Sequence, residues 1–147
     1  MKQIVEQISV FIENRPGRLA EITRTLGDAG VNIRALSLAD TTDFGILRLI
    51  VSDVERAVET LKARNFPVGK TEVVAIEVAD KPGGLASILE FLYEANINVE
   101  YMYAFTYRQK DKAIIIFRFE NPDKSIQILQ QKGVNLISSV ELYERIG

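Results

Sequence analysis

The feature that most constrains this chain is that it repeats itself. Pro16-Gly17-x-Leu19-Ala20 returns 66 residues later as Pro82-Gly83-x-Leu85-Ala86. Aligning Ile8–Ile33 with Val74–Val99 at that offset gives 8 identities in 26 positions, several-fold above chance. They include Gly, Pro and Asn positions, which shared hydrophobicity alone does not produce. Two extra residues in the second copy move the offset to 68, where Asp53 faces Asn121 and Leu61 faces Leu129. One small unit, written twice, fills all 147 residues. The expected division is residues 1–70 and 71–147.

Each copy reads as βαββαβ. Ile8, Val10 and Ile12 alternate as a half-buried strand does, and so do Val74, Ile76 and Val78. Asn14-Arg15-Pro16-Gly17 and Asp80-Lys81-Pro82-Gly83 break those strands and open helices. Leu19, Ile22, Leu26 and Ala29 share a helical face, as do Leu85, Ile88, Leu92 and Ala95. Gly30 and Asn96, which tolerate left-handed backbone, end those helices. Strands follow at Asn32–Ala39 with Gly45–Val51, and at Asn98–Tyr107 with Ala113–Phe119. The expected turns are Thr41-Thr42-Asp43 and Arg108–Asp111. Asp53 and Asn121-Pro122 signal second helices. Final strands are expected at Val68–Val73 and Leu136–Tyr143. This order predicts an α+β fold of two ferredoxin-like repeats, with antiparallel sheets packed side by side. Only 14 residues separate Asn65 from Asp80, so the last strand of one copy should run into the first of the next.

Composition narrows the chemistry. There is no Cys and no His, which removes thiol and imidazole catalysis and their metal sites. No metal or cofactor is expected, and no catalytic residues are assigned. A net charge of −2 gives no electrostatic footprint for nucleic acid. Tyr101, Tyr103, Phe105 and Tyr107 alternate along one strand face, as base-stacking residues do. Packing against a partner sheet or a neighbouring repeat is the favoured account, because the charge balance is acidic and the third strand, Ala113–Phe117, lacks a basic Gly-aromatic signature. No apolar run approaches the roughly 18 residues of a membrane helix, and no signal peptide is visible, so a cytoplasmic protein is expected.

The specific signal lies in the two strand–turn–helix loops. A helix N-terminus offers unpaired N–H groups and partial positive charge, a seat for a carboxylate. Gly17 and Gly83-Gly84 let a ligand approach the backbone, while Pro16 and Pro82 stiffen the turn. Asn14 can donate and accept, and ionised Asp80 accepts only, which suits an ammonium. Either residue also fits an ordinary helix N-cap. Arg15, Arg18 and Lys81 are expected to be solvated.

Ile12-Glu13-Asn14-Arg15-Pro16-Gly17-Arg18-Leu19, followed by Gly30-Val31-Asn32-Ile33, resembles the ACT domain. Val78-Ala79-Asp80-Lys81-Pro82-Gly83-Gly84-Leu85 with Asn96-Ile97-Asn98-Val99 is the second copy. Within that family the chain is most similar to the serine-binding regulatory domain of D-3-phosphoglycerate dehydrogenase. The resemblance implies a stand-alone tandem sensor, not an enzyme, that binds a free amino acid between domains. It further implies a partner enzyme of amino-acid biosynthesis and a homo-oligomer. One implied site joins Asn14, Arg15, Pro16, Gly17, Arg18 and Leu19 to Asn98 and Val99. The other joins Asp80, Lys81, Pro82, Gly83, Gly84 and Leu85 to Asn32 and Ile33. The copies differ at Asn14/Asp80 and Arg18/Gly84, so the two sites need not share a ligand. Alternatives on the same plait are an assembly or single-stranded RNA-binding module, or a small hydrolase.

Overall fold

The computed structural model describes residues 3–40, 43–105 and 111–146. Tyr107 and the turn residues Thr41, Thr42 and Arg108 to Lys110 lie outside the described residues. The chain forms two compact units, one spanning Glu6–Thr71 and the other Glu72 onward together with the first residues of the chain. It passes from one to the other inside a single strand, β4 (Val68–Ala79), with no loop between.

In the N-terminal unit, β1 (Ile4–Glu13), α1 (Arg18–Asp28), β2 (Ile33–Asp40), β3 (Phe44–Val51) and α2 (Val54–Ala63) lead into β4. β3 lies between β1 and β2, antiparallel to both. Register places Ile8 opposite Leu49 and Val10 opposite Leu47, so one sheet face is continuously apolar. Ile22 and Leu26 of α1 and Ala57 and Leu61 of α2 bury against that face. Burying each large aliphatic side chain stabilises the unit by about 2 kcal/mol. Both helices therefore cover the same side of the sheet. On α2, Glu55 bonds Lys70 of β4 at 2.9 Å, which raises the pKa of that exposed lysine through the hydrogen bond first and the Glu55 charge second.

The C-terminal unit repeats the plan with α3 (Gly84–Glu94), β5 (Val99–Ala104), β6 (Lys112–Phe119), α4 (Pro122–Gln131) and β7 (Leu136–Ile137). β6 lies between β4 and β5, and β7 pairs with β4. Val74 faces Phe117, the same register that sets Ile8 opposite Leu49. Even the irregularity is copied, since β2 shifts register between Ile33 and Ala35 and β5 between Val99 and Tyr101. Ile88 and Leu92 of α3 and Leu129 of α4 fill the second core with Phe117 and Phe119.

All four main helices close in one way. A residue in left-handed backbone follows each: Gly30, Asn65, Asn96 and Gly133. The next amide then reaches back to the last turn, as in Val31 N–H to Leu26 C=O at 2.9 Å and Ile97 N–H to Leu92 C=O at 2.8 Å. Both second helices begin at their expected caps, Asp53 and Asn121, each accepting at 3.1 Å from the amide three residues on.

The C-terminus corrects one expectation. Leu136–Tyr143 was expected as a strand, but only Leu136–Ile137 pairs, and α5 (Ser139–Ile146) follows. Buried Ser138 is the cause. Its hydroxyl accepts from the Glu141 amide at 3.2 Å and its carbonyl from the Leu142 amide at 2.9 Å, which caps a helix.

The caps supply a test. Asp53→Ala should cost about 1 kcal/mol in urea unfolding, whereas Asp53→Asn should be nearly neutral.

Candidate functional site

Two strand–turn–helix loops share one backbone. The Asn14 amide donates to the Asp43 carbonyl at 2.8 Å, and the Asp80 amide to the Asp111 carbonyl at 2.7 Å. Arg15 N–H donates to Glu13 C=O, and Lys81 N–H to Ala79 C=O, both at 3.0 Å. Each chain then turns through a left-handed glycine, Gly17 at φ 92° or Gly83 at φ 83°, directly before the helix. Those glycines are the N-caps, and no side chain caps either helix. Asn14 and Asp80 are thus not helix caps, because each lies three residues before the capping position. Their amides instead pin the loop to the hairpin that carries β3 or β6.

The side chains of the N-terminal loop enclose a cleft of about 330 Å³, including its space open to solvent. Its polar end is Glu13, Asn14, Arg15 and Arg18, and its apolar wall is Ile12, Leu19 and Leu38, with Gly45 beneath. Pro16 and Gly17 shape the turn without lining the cleft. Arg15 stays exposed, 3.1 Å from Glu13. Arg18 departs from the solvated state expected of it. Its side chain is only 20% exposed, 3.0 Å from Glu21 and 3.9 Å from Glu13. The guanidinium lies 4.8 Å from the centre of the Phe66 ring, and Nε is buried without a partner among the described residues.

The C-terminal loop lacks that entire cluster. Under the offsets of the repeat, Glu13, Arg18, Glu21 and Phe66 become Ala79, Gly84, Ser87 and Val134. A Cβ at Gly84 would overlap the Ala79 carbonyl, so here the helix start lies directly on the strand end. Leu85, partly buried, packs against the core beneath, and the Ser87 hydroxyl donates to the Gly83 carbonyl at 3.1 Å. Asp80, Lys81 and Pro82 are exposed.

Asn32 and Asn98 stand at the other ends of α1 and α3. An 11-residue helix, about 16 Å long, separates each from the loop of its own unit. The Asn32 amide donates to the Ser52 hydroxyl and its carbonyl accepts from the Ser52 amide, both at 2.9 Å. Asn98 lines a more polar cleft of about 380 Å³ with Asn96, Glu120, Asn121 and Lys124. Ile33 and Val99 pack against the two cores. Asn14 and Asn98 belong to different units, as do Asp80 and Asn32. Leu38 and Gly45 carry no local motif; the β1–β3 ladder sets Gly45 opposite Ile12 at the start of the loop, and the β2–β3 ladder places Leu38 beside them.

Among the described residues no acidic cluster could hold a metal ion, and no helix is long and apolar enough to cross a membrane. The sequence profile of the family described as an ACT domain pair matches residues 3–146. The chain belongs to the ACT domain pair family. A solved protein of Bacteroides thetaiotaomicron is 40% identical to this ACT pair, with a TM-score of 0.90 over 96% of each chain. The regulatory subunit of aspartate kinase from Thermus thermophilus shares the fold, with a TM-score of 0.62 at 15% identity, covering 88% of this chain and 97% of that one. Aspartokinase of Corynebacterium efficiens is 29% identical over 82% of this chain and 32% of its own length. The ACT pair thus spans about a third of that curated relative.

The loops predict unequal losses of stability on adding a methyl group. Gly84→Ala should lower unfolding free energy by about 2 kcal/mol or more, because the new Cβ meets backbone. At Gly17 a Cβ has open space and only the left-handed backbone to contend with, so Gly17→Ala should cost about 1 kcal/mol. Urea titration of both variants checks the order.

Proposed function

We propose that this ACT pair is a regulatory protein that binds a free amino acid and passes its bound state to a partner enzyme of amino-acid metabolism. The observation that carries this reading is the cleft of the N-terminal loop, which has a polar end and an apolar wall. An α-amino acid has the same two halves. Its carboxylate would meet the uncapped start of α1, where first-turn amides and the helix dipole favour an anion. Its ammonium would meet Asn14 and the half-exposed Glu13, which retains unused lone pairs. No nucleophile or acid–base pair need be invoked, and likeness to regulatory rather than catalytic portions of aspartate kinase supports the same view. An RNA-binding role is less well supported. Phe105 is buried, and Tyr101 and Tyr103 stack on each other with centroids 6.5 Å apart.

Regulation then follows from linkage. A ligand that binds one arrangement of the protein more tightly shifts the population toward it, and a partner that distinguishes the arrangements reads the change.

Thermal unfolding with each proteinogenic amino acid tests the proposal. At a hundredfold excess over Kd the true ligand should add about 2.7 kcal/mol and raise Tm measurably. Its methyl ester should give little or no shift, since the helix start requires a carboxylate. A flat response to all the amino acids would refute the proposal.

A further inference from the structure

We infer that the ligand of the N-terminal cleft carries a large aliphatic side chain, and that the C-terminal loop does not bind a second copy of it. This rests on the amino-acid-sensor reading and names the ligand class.

The apolar wall is the first reason. Leu19 of α1 is 41% exposed and Leu38 of β2 is 48% exposed, yet both line one small cleft with Ile12. Isolated exposed leucines are common on protein surfaces. Two that converge from different elements on one concavity present an apolar surface sized for a small molecule.

The polar groups supply the second reason, by elimination. Arg18 is not available to an acidic ligand side chain, because Glu21 holds it at 3.0 Å and it lies on Phe66, and Arg15 stands with Glu13 at the polar end, which the ligand's own carboxylate and ammonium would occupy. A cationic side chain would need a second carboxylate, and Glu21 already serves Arg18. Glu13 and Asn14 are needed for the ammonium that every amino acid carries. What remains unmatched is the aliphatic wall.

The second copy loses that wall. Leu38 lies opposite Leu47 as Ala104 lies opposite Ile115, so Ala104 takes the place of Leu38. Leu85, equivalent to Leu19, is partly buried against the core rather than exposed, and Gly84 lets the helix start close onto Ala79.

Calorimetric titration of the whole chain tests this. L-leucine, L-isoleucine, L-valine and L-methionine are compared with L-serine, L-threonine, L-lysine and L-aspartate. The aliphatic four should bind at one site per chain, at least about tenfold more tightly than the polar four, because each methylene in an apolar pocket contributes about that factor or more. Leu38→Ser should weaken L-leucine binding about tenfold with Tm of the free protein unchanged, while Ala104→Ser leaves binding unchanged. Stronger binding of a polar amino acid, or two equal sites per chain, overturns the inference while leaving the sensor reading intact. So does a Leu38→Ser variant that binds normally but loses self-association in sedimentation, which would make the wall an assembly surface. Absence of binding by any amino acid removes the sensor reading and this inference with it.

Discussion

Both units depend on a single backbone manoeuvre, the left-handed glycine between the first strand and the first helix. A strand that feeds a helix on one face of its own sheet must reverse within a few residues. Gly17 and Gly83 achieve this at φ 92° and 83°, where a side chain would be strained. The turn is held on its strand side by the amides of Asn14 and Asp80, which bond the neighbouring hairpin. From that point the helix direction is set, and the apolar faces built on Ile22 with Leu26, and on Ile88 with Leu92, come down on their sheets. The exposed loop is a by-product of the same geometry. It leaves a helix N-terminus without a side-chain cap at the molecular surface.

The two copies show how far a loop can diverge on a fixed frame. Registers, bulges and helix C-caps are reproduced nearly residue for residue. The loop side chains are not. Glu13, Arg18, Glu21 and Phe66 form one connected group, and all four are replaced in the other copy by residues that cannot form it. Removal of one member would strand another. Without Phe66, for example, the partly buried Arg18 guanidinium would lose the ring it lies over. Replacement of the group as a whole leaves Gly84 free to approach Ala79. One frame therefore carries an open cleft with a charged rim and, in its second copy, a loop drawn tight against its strand.

By itself the sequence determined the element order, the repeat and the position of both loops. These depend on local chemistry: strand alternation, helical spacing, Asp53 and Asn121 as caps, and left-handed Gly30 and Asn96 as stops. It located Asn14 to Leu19 as the candidate site for the same reason, since a Pro-Gly turn before a helix is a local feature. Ser138 is the local exception. A Leu-Ile pair before Ser reads as a continuing strand, yet a buried Ser138 whose hydroxyl accepts from the Glu141 amide and whose carbonyl accepts from the Leu142 amide starts a helix instead.

The walls of the site were decided only by tertiary structure. Leu38 and Gly45 reach the loop through strand pairing, Phe66 reaches Arg18 from 48 positions away, and Leu85 is partly buried against its core while Leu19 remains exposed. None of this has a periodicity or motif, because contact between distant segments is set by sheet register and helix packing rather than by neighbours in the chain. The expectation that Arg18 is solvated failed for that reason. Sequence shows an arginine beside a turn, and only the fold shows the aromatic ring and the two carboxylates that hold it down.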